Sequence, residues 1–593
     1  HAVLPPAVYE FLTPSTSRFD RPVLGATAND PTGGYAPTPA PDVGSIDLRQ
    51  QSLPPRGLVP RVAPPLNGAA SNQWAVDATR GASARAVLAN DPHLSLRLPS
   101  TFYRVELAWP GGVLRGVSIP GLPGVLIGAS TSVAWGATVS NADQADWVVV
   151  EVDPRDATRY RTPEGSEPFV VTTTEIVVAG GAPERIAARS TRWGPVVGED
   201  WRGRPLALHA TWLEPQGLDF TILELATATG VTSAAAILAR WNGPSLNWML
   251  ADDAGRIAWL VNGPLPARVG FDGSRPESLA DGGRAWQGRL VPPQRVGGAD
   301  GALFTANSRT LPSGEADRVS RMWMRPLRAK RIADLLAGQR TFAEPELLAM
   351  QLDTRAEGYE VLRAAVLDSV PADDPEPLLR RARGHVRDWN GNADVGEPGF
   401  RLLQAYYGRL LEAAIAPLLA PAVAADPGFV YRWPLADEVL RRLLDERPPH
   451  LLTREHASWP ALLRAVLHET ALDLERRRAG LDAPWGQVNE LDVQHPLAPS
   501  LGPFGRLLAL PRAPLPGSMV SLRVAAPSYG AVLRMVVAPG APENGILQLA
   551  GGQSGHFLSR HFKDQQTDWL DGTPTPFLAG APVTRFVLRP PPR

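Results

Sequence analysis

Ser71, in the run Ser71-Asn72-Gln73-Trp74-Ala75-Val76, is followed about twenty residues later by Asn90-Asp91-Pro92-His93-Leu94. A serine hydroxyl is a weak nucleophile and needs a base beside it. A histidine at position 93 invites a Ser-His reading, but a cut before Ser71 would supply a base directly. A freed α-amine has an ordinary pKa of about 7.7–8 and is partly neutral near pH 7, so it can take the hydroxyl proton itself or through one water. The flank Pro64-Pro65-Leu66-Asn67-Gly68-Ala69-Ala70 is small and turn-prone, which leaves the Ala70–Ser71 bond accessible. Taken alone, an Ala-Ser pair reads first as the opening of a strand after a loop, and it is the segments downstream that favour the cut.

Composition removes several competing chemistries. The 593 residues contain no cysteine, so thiol nucleophiles, thiolate metal sites and disulfides are all excluded, and neither redox compartment is favoured. Lysine occurs only at Lys330 and Lys563, which leaves little material for a Ser-Lys dyad. No Gly-x-Ser-x-Gly elbow, His-Glu-x-x-His helix or Walker loop is present. With 44% hydrophobic and 20% charged residues the chain is of globular type. A formal charge of −1 and the lack of a long basic run give no pull toward nucleic acid or an anionic membrane surface. No apolar run of about 18 residues is expected to span a bilayer. The start at His1-Ala2-Val3-Leu4 carries no signal pattern, and is expected to lie inside a longer product or to follow processing, with any export signal upstream.

The elements that must position Ser71 follow from pattern. Residues 1–24 form a short ordered segment closing at Phe19-Asp20-Arg21-Pro22, and 25–70 is a Pro/Gly-rich spacer. Beyond it, Ala86–Ala89, Phe102–Trp109, Val125–Ile127, Trp147–Val152 and Thr173–Val178 are β-prone runs bounded by turn residues. Leu246–Ala251 and Arg256–Val261 flank Asp252-Asp253-Ala254-Gly255 as a hairpin. From 315 to 480 the period becomes helical, as in Leu463, Val466, Leu467, Thr470 and Leu474, with Gly480 placed to end that helix. Strand character returns in Met519–Val524, Val532–Val537 and Val583–Leu588. The expectation is an α+β chain with a β-rich core over 71–310 and 481–593, on which the helical region is an insertion or an outer layer.

The segments Ser71–Trp74, Ala89–Leu94, Pro120–Gly124, Ala134–Thr138, Asn247-Trp248, Thr305–Ser308, Asp388–Gly391, Gly552–Gly555 and Asp568–Gly572 occur in the order seen in penicillin acylases. The chain resembles that family of N-terminal nucleophile hydrolases over essentially all of 71–593. The resemblance implies a four-layer αββα sandwich and a precursor that cuts itself between Ala70 and Ser71, with 1–24 as the tail of an α-chain and 71–593 as the β-chain. It implies hydrolysis of an N-acylated small molecule, a β-lactam side chain or an N-acyl homoserine lactone, with His93 tilting toward the latter. An α-chain upstream of His1 would be an obligate partner, and the location periplasmic or secreted, with the cytoplasm left open.

Site roles carry over by the same resemblance. His93 takes the position whose backbone assists near the nucleophile, Val139 the backbone oxyanion donor, Asn247 the side-chain oxyanion donor, and Arg268 the arginine that orients the asparagine and the amine. Leu94, Tyr103, Leu126 and Ile127 fall where relatives line the acyl pocket, and each reads equally as core. Asp143, Ala145 and Asp146 resemble a structural calcium segment, although three ligands do not complete a site for an ion that prefers about six to eight oxygens. A solvated acidic turn is the alternative there, and no organic cofactor is implied. A catalytically inactive sandwich serving as a binding or scaffold module is the second reading of the whole chain.

Overall fold

The computed structural model describes residues 3–52, the backbone of 61–62, 70–298 and 300–589. The expected turn-prone flank at 64–69 and the spacer prolines Pro54, Pro55 and Pro60 lie outside the described residues.

Two seven-stranded antiparallel sheets lie at the centre. In the first, the Ser71 strand (Ala70–Val76) runs between Ala302–Thr305 and the His93 strand (Val87–Ser95). The His93 strand pairs on its other side with Tyr529–Ala531 and with Leu533–Val537. In the second, the Val139 strand (Val133–Val139) sits beside the Asn247 strand (Leu246–Asp252), which turns at Gly255 into Ile257–Val261. All seven residues of the Ser71 strand are buried. That uninterrupted burial marks a strand covered on both faces, not one with an exposed polar side.

The sheets stack face to face and are joined by polar side chains as well as apolar ones. Asn90 donates to the Asn72 carbonyl (2.8 Å) and exchanges bonds with the Ala137 backbone (3.1 and 3.2 Å). Gln73 donates to the Asn247 carbonyl at 3.1 Å. Gly136 faces Asn90 so closely that a Cβ there would stand 2.9 Å from the Asn90 Cβ, which is why the Val139 strand has a glycine at its centre.

Helices cover the outer faces. Leu327–Gly338 and Glu344–Gln351 pack Ile332, Leu336, Leu347 and Leu348 onto Trp74, Val87 and Val536 of the first sheet. Val231–Arg240 covers the second sheet, its first turn held by the Asp252 carboxylate accepting from the Val231 N–H at 3.0 Å. The layers are therefore helix, sheet, sheet, helix, as expected. The helices between Glu360 and Arg476 form a lobe with its own core, so the 315–480 region supplies both an outer layer and a separate bundle.

Three expectations are corrected. Met519–Val524 is irregular, because the Ser518 and Ser521 hydroxyls bond into the local backbone and offer it partners other than a ladder. Val583–Leu588 forms no strand either: Val583, Phe586 and Leu588 are 86%, 87% and 97% exposed, so their apolar side chains find no core to pack on. Pro398–Ala425 is long and apolar enough to cross a membrane by length and hydropathy. It is the central helix of the lobe, burying Phe400, Leu403, Tyr406 and Leu410 completely.

Candidate active site

Ser71 lies one residue inside its strand, opposite Pro92, while Ala70 faces His93. The side chain that reaches its nitrogen is Asn307: the Ser71 N–H donates to Asn307 Oδ1 at 2.7 Å. Asn307 sits just past the neighbouring strand with φ +66°, a left-handed conformation that asparagine tolerates better than most residues. Its carbonyl accepts from Asn141 Nδ2 at 2.8 Å, and its own amide donates to the Val139 carbonyl at 2.9 Å.

Arg328 completes the enclosure. It donates to the Ser71 carbonyl (2.9 Å), to Asn307 Oδ1 (3.0 Å) and to Asn72 Oδ1. It falls on the buried face of the Leu327–Gly338 helix with Ile332 and Leu336, at spacings of four. No carboxylate bonds to it among the described residues, and burial lowers its guanidinium to about 10, which leaves it charged at neutral pH. Asn72 extends the network to Asp91 Oδ2 (3.0 Å), and Asp91 Oδ2 stands 2.7 Å from His93 Nε2. Burial lowers the His93 pKa, with Asp91 opposing, so the ring is neutral near pH 7. Because a carboxylate only accepts, Nε2 carries the proton.

The structure places the expected residues differently from one another. His93 and Val139 adjoin Ser71, the former across the strand pair and the latter through Asn307. Asn247 is close but committed elsewhere: its amide donates to the Val139 carbonyl (3.2 Å) and its oxygen accepts from Trp259 Nε1 (3.1 Å). The amide that touches Ser71 is that of Asn307.

Arg268 bonds neither Ser71 nor Asn247. It pairs with Asp146 (2.8 Å) and Asp143 (3.0 Å), and Trp286 Nε1 also donates to Asp146 Oδ2. Arg268 and Trp286 are cross-strand partners on the Pro266–Val269 and Ala285–Arg289 ribbon, which aims both at one carboxylate. Burial pushes the Asp143 carboxyl up to about 6 despite Arg268.

This donor set does not fit calcium. A guanidinium occupies the space between the two carboxylates, and no cluster of three or more acidic or histidine ligands occurs among the described residues. The carboxylates Asp143 and Asp146 are an ion-paired corner, and Ala145 opens the strand Ala145–Val149.

Of the expected acyl-pocket residues, Ile127 is core and Leu94 and Leu126 pack partly buried against it. Tyr103 is 47% exposed on an edge strand. It lines a different cavity of about 690 Å³, walled by Arg104, Arg115, His561 and Phe577, to which Leu94, Leu126 and Ile127 do not contribute.

Asn307 and Arg328 were the residues missed by the sequence reading. Their signals were present: the Thr305–Ser308 segment in family order, and an arginine on the apolar stripe of an amphipathic helix.

The penicillin amidase family matches residues 8–582. The penicillin acylase 2 proenzyme of Pseudomonas sp. (strain SE83) is 27% identical over 546 residues, covering 86% of this chain and 67% of that protein. The acyl-homoserine lactone acylase QuiP of Pseudomonas aeruginosa is 26% identical over 570 residues, covering 86% and 66%. The chain thus spans about two thirds of the length of these curated relatives. Among solved structures, a thermostable penicillin G acylase from Alcaligenes faecalis shares the fold with a TM-score of 0.67 at 18% identity, covering 88% of this chain and all of that one.

Proposed function

We propose that this chain, which belongs to the penicillin amidase family, is a self-processing amidohydrolase that cleaves N-acylated small molecules through Ser71. The observation that carries the proposal is the clamp on the Ser71 backbone: Asn307 Oδ1 on its nitrogen at 2.7 Å and Arg328 on its carbonyl at 2.9 Å, in a buried strand. A serine near the start of a strand with an ordinary role would need no asparagine and arginine converging on its main chain.

In the precursor, Ser71 Oγ attacks the Ala70 carbonyl carbon. The Oγ–C bond forms as the C–N bond breaks, and the hydroxyl proton passes to the departing Ser71 nitrogen. Water then hydrolyses the ester to a carboxylate on Ala70 and restores the hydroxyl. The freed amine stays within reach of Asn307, and the nearby Arg328 charge lowers its pKa, favouring the neutral base. In turnover, Ser71 attacks the substrate amide, the amine product departs, and water releases the acyl group. The oxyanion is held by the Val139 N–H and by the amide of Asn307, whose second N–H is not used on the Val139 carbonyl.

The named activities of the relatives point to penicillin-type amides and N-acyl homoserine lactones as the substrates to assay. The test is intact-mass measurement on the full-length gene product, followed by turnover of both amide classes. A fragment beginning at Ser71, and loss of both the cut and turnover in Ser71→Ala, are expected. A folded wild-type chain that stays whole and inert would overturn the reading.

A further inference from the structure

We propose that Tyr529 is a positioning residue for self-cleavage, holding the Ala70 side of the scissile bond through its hydroxyl. The inference rests on the self-processing reading above and adds to it a group that acts on the uncut chain.

At the mouth of the Ser71 strand, the hydroxyl of Tyr529 accepts from the Ala70 N–H at 3.1 Å and donates to the His93 carbonyl at 2.9 Å. Ala70 and His93 are register partners. The phenol oxygen is thus inserted between facing backbone groups and bridges them. Burial, opposed in part by the Arg328 charge, raises the phenol pKa, so the hydroxyl stays neutral and can serve as donor and acceptor together. The ring works in the same direction. Ala70 is buried against Val524 and Tyr529, with Met324 and Met519 packed around them.

Tyr529 itself is fixed by its strand, which pairs with the far end of the His93 strand at Ser95. Two sides of the Ala70–Ser71 peptide are therefore anchored separately: Ser71 by Asn307 and Arg328, Ala70 by Tyr529. Holding reacting groups in a near-attack arrangement is one of the larger contributions available to a catalyst. After the cut, the Ala70 N–H belongs to the released piece. Tyr529 then retains the His93 carbonyl but no longer acts on a reacting bond.

The decisive comparison is conversion of full-length wild type and Tyr529→Phe, followed by intact mass, with kcat and KM measured on the fully converted protein. Tyr529→Phe is expected to convert about tenfold more slowly, the effect of about 1.4 kcal/mol on a barrier, while the matured variant keeps kcat and KM within about twofold of wild type. Equal conversion rates overturn the inference alone. Equal losses in conversion and in kcat make Tyr529 a merely structural residue and also overturn it. A wild-type chain that never cuts overturns both this inference and the reading beneath it. If Tyr529→Phe does not fold, 3-fluorotyrosine at 529 keeps the ring volume while making the oxygen a poorer acceptor for the Ala70 N–H. Conversion must then slow, and an unchanged rate overturns the proposal.

Discussion

Asn307 bonds the Ser71 nitrogen through its oxygen and the Val139 carbonyl through its nitrogen, so one side chain couples the proposed base to the proposed oxyanion strand. Asn307→Ala is expected to lower kcat by about 10²- to 10³-fold, the usual cost of losing one oxyanion donor, measured on matured protein. Arg328 acts on the same nitrogen by charge. Replacing it with glutamine should raise the pKa of the freed amine, so the acid limb of the pH–rate profile moves to higher pH; a limb that stays in place would remove Arg328 from that role. His93 makes a separate prediction about stability. Its folded pKa is depressed by burial, so below the unfolded value of about 6.5 the unfolded chain binds the extra proton. Its contribution is complete above that pH and is lost as pH falls. Denaturant titrations should show wild type weakening from about pH 6.5 downward, and His93→Asn should flatten that slope.

The ribbon Pro266–Val269 with Ala285–Arg289 decides the fate of the acidic segment beside the Val139 strand. A guanidinium with only 7% of its side chain exposed stands between Asp143 and Asp146, where a hard cation would need the same oxygens. Chelation with EDTA is therefore expected to leave the melting temperature unchanged. Arg268→Met should lower stability, by about 3 kcal/mol at most, because it strands the buried Asp146 carboxylate with Trp286 as its remaining donor, while the partly exposed Asp143 turns to solvent. A melting point that falls on chelation and recovers with added calcium would show instead that the ion displaces Arg268.

Across the whole molecule, the segment before Ser71 is held by far more than the covalent bond at Ala70. Val8, Phe11, Leu12 and Leu48 belong to the core of the helical lobe. Tyr431 donates to the Leu12 carbonyl at 2.6 Å and Trp433 to the Pro14 carbonyl at 2.8 Å. Arg309, buried, joins Asp20 at 3.0 Å and also holds the Thr32 and Gly33 carbonyls. The expected spacer is thus docked on the body over its first half, irregular in backbone but fixed by side chains. After the cut, the two pieces should separate on a denaturing gel yet elute together in native gel filtration. Separate, later elution of the short piece would contradict this packing.

Much of this protein is readable from residue order. Periodicity marked the hairpin at Leu246–Val261 and the helical region, because alternation and 3.6-residue spacing are local consequences of which face is covered. The ordered motifs pointed to the sandwich and to Ser71, because catalytic chemistry requires particular residue types. The partners of Ser71 were not readable in this way. Asn247 and Asn307 are both asparagines near strand ends, and Arg268 and Arg328 both follow prolines by two residues; only the stacking of two sheets and a helix decides which pair meets Ser71. A side chain's reach is a few ångströms, whereas Ser71 is separated from Asn307 and from Arg328 by more than two hundred residues of chain. The sequence determined what chemistry was available, and tertiary packing determined which groups meet at Ser71.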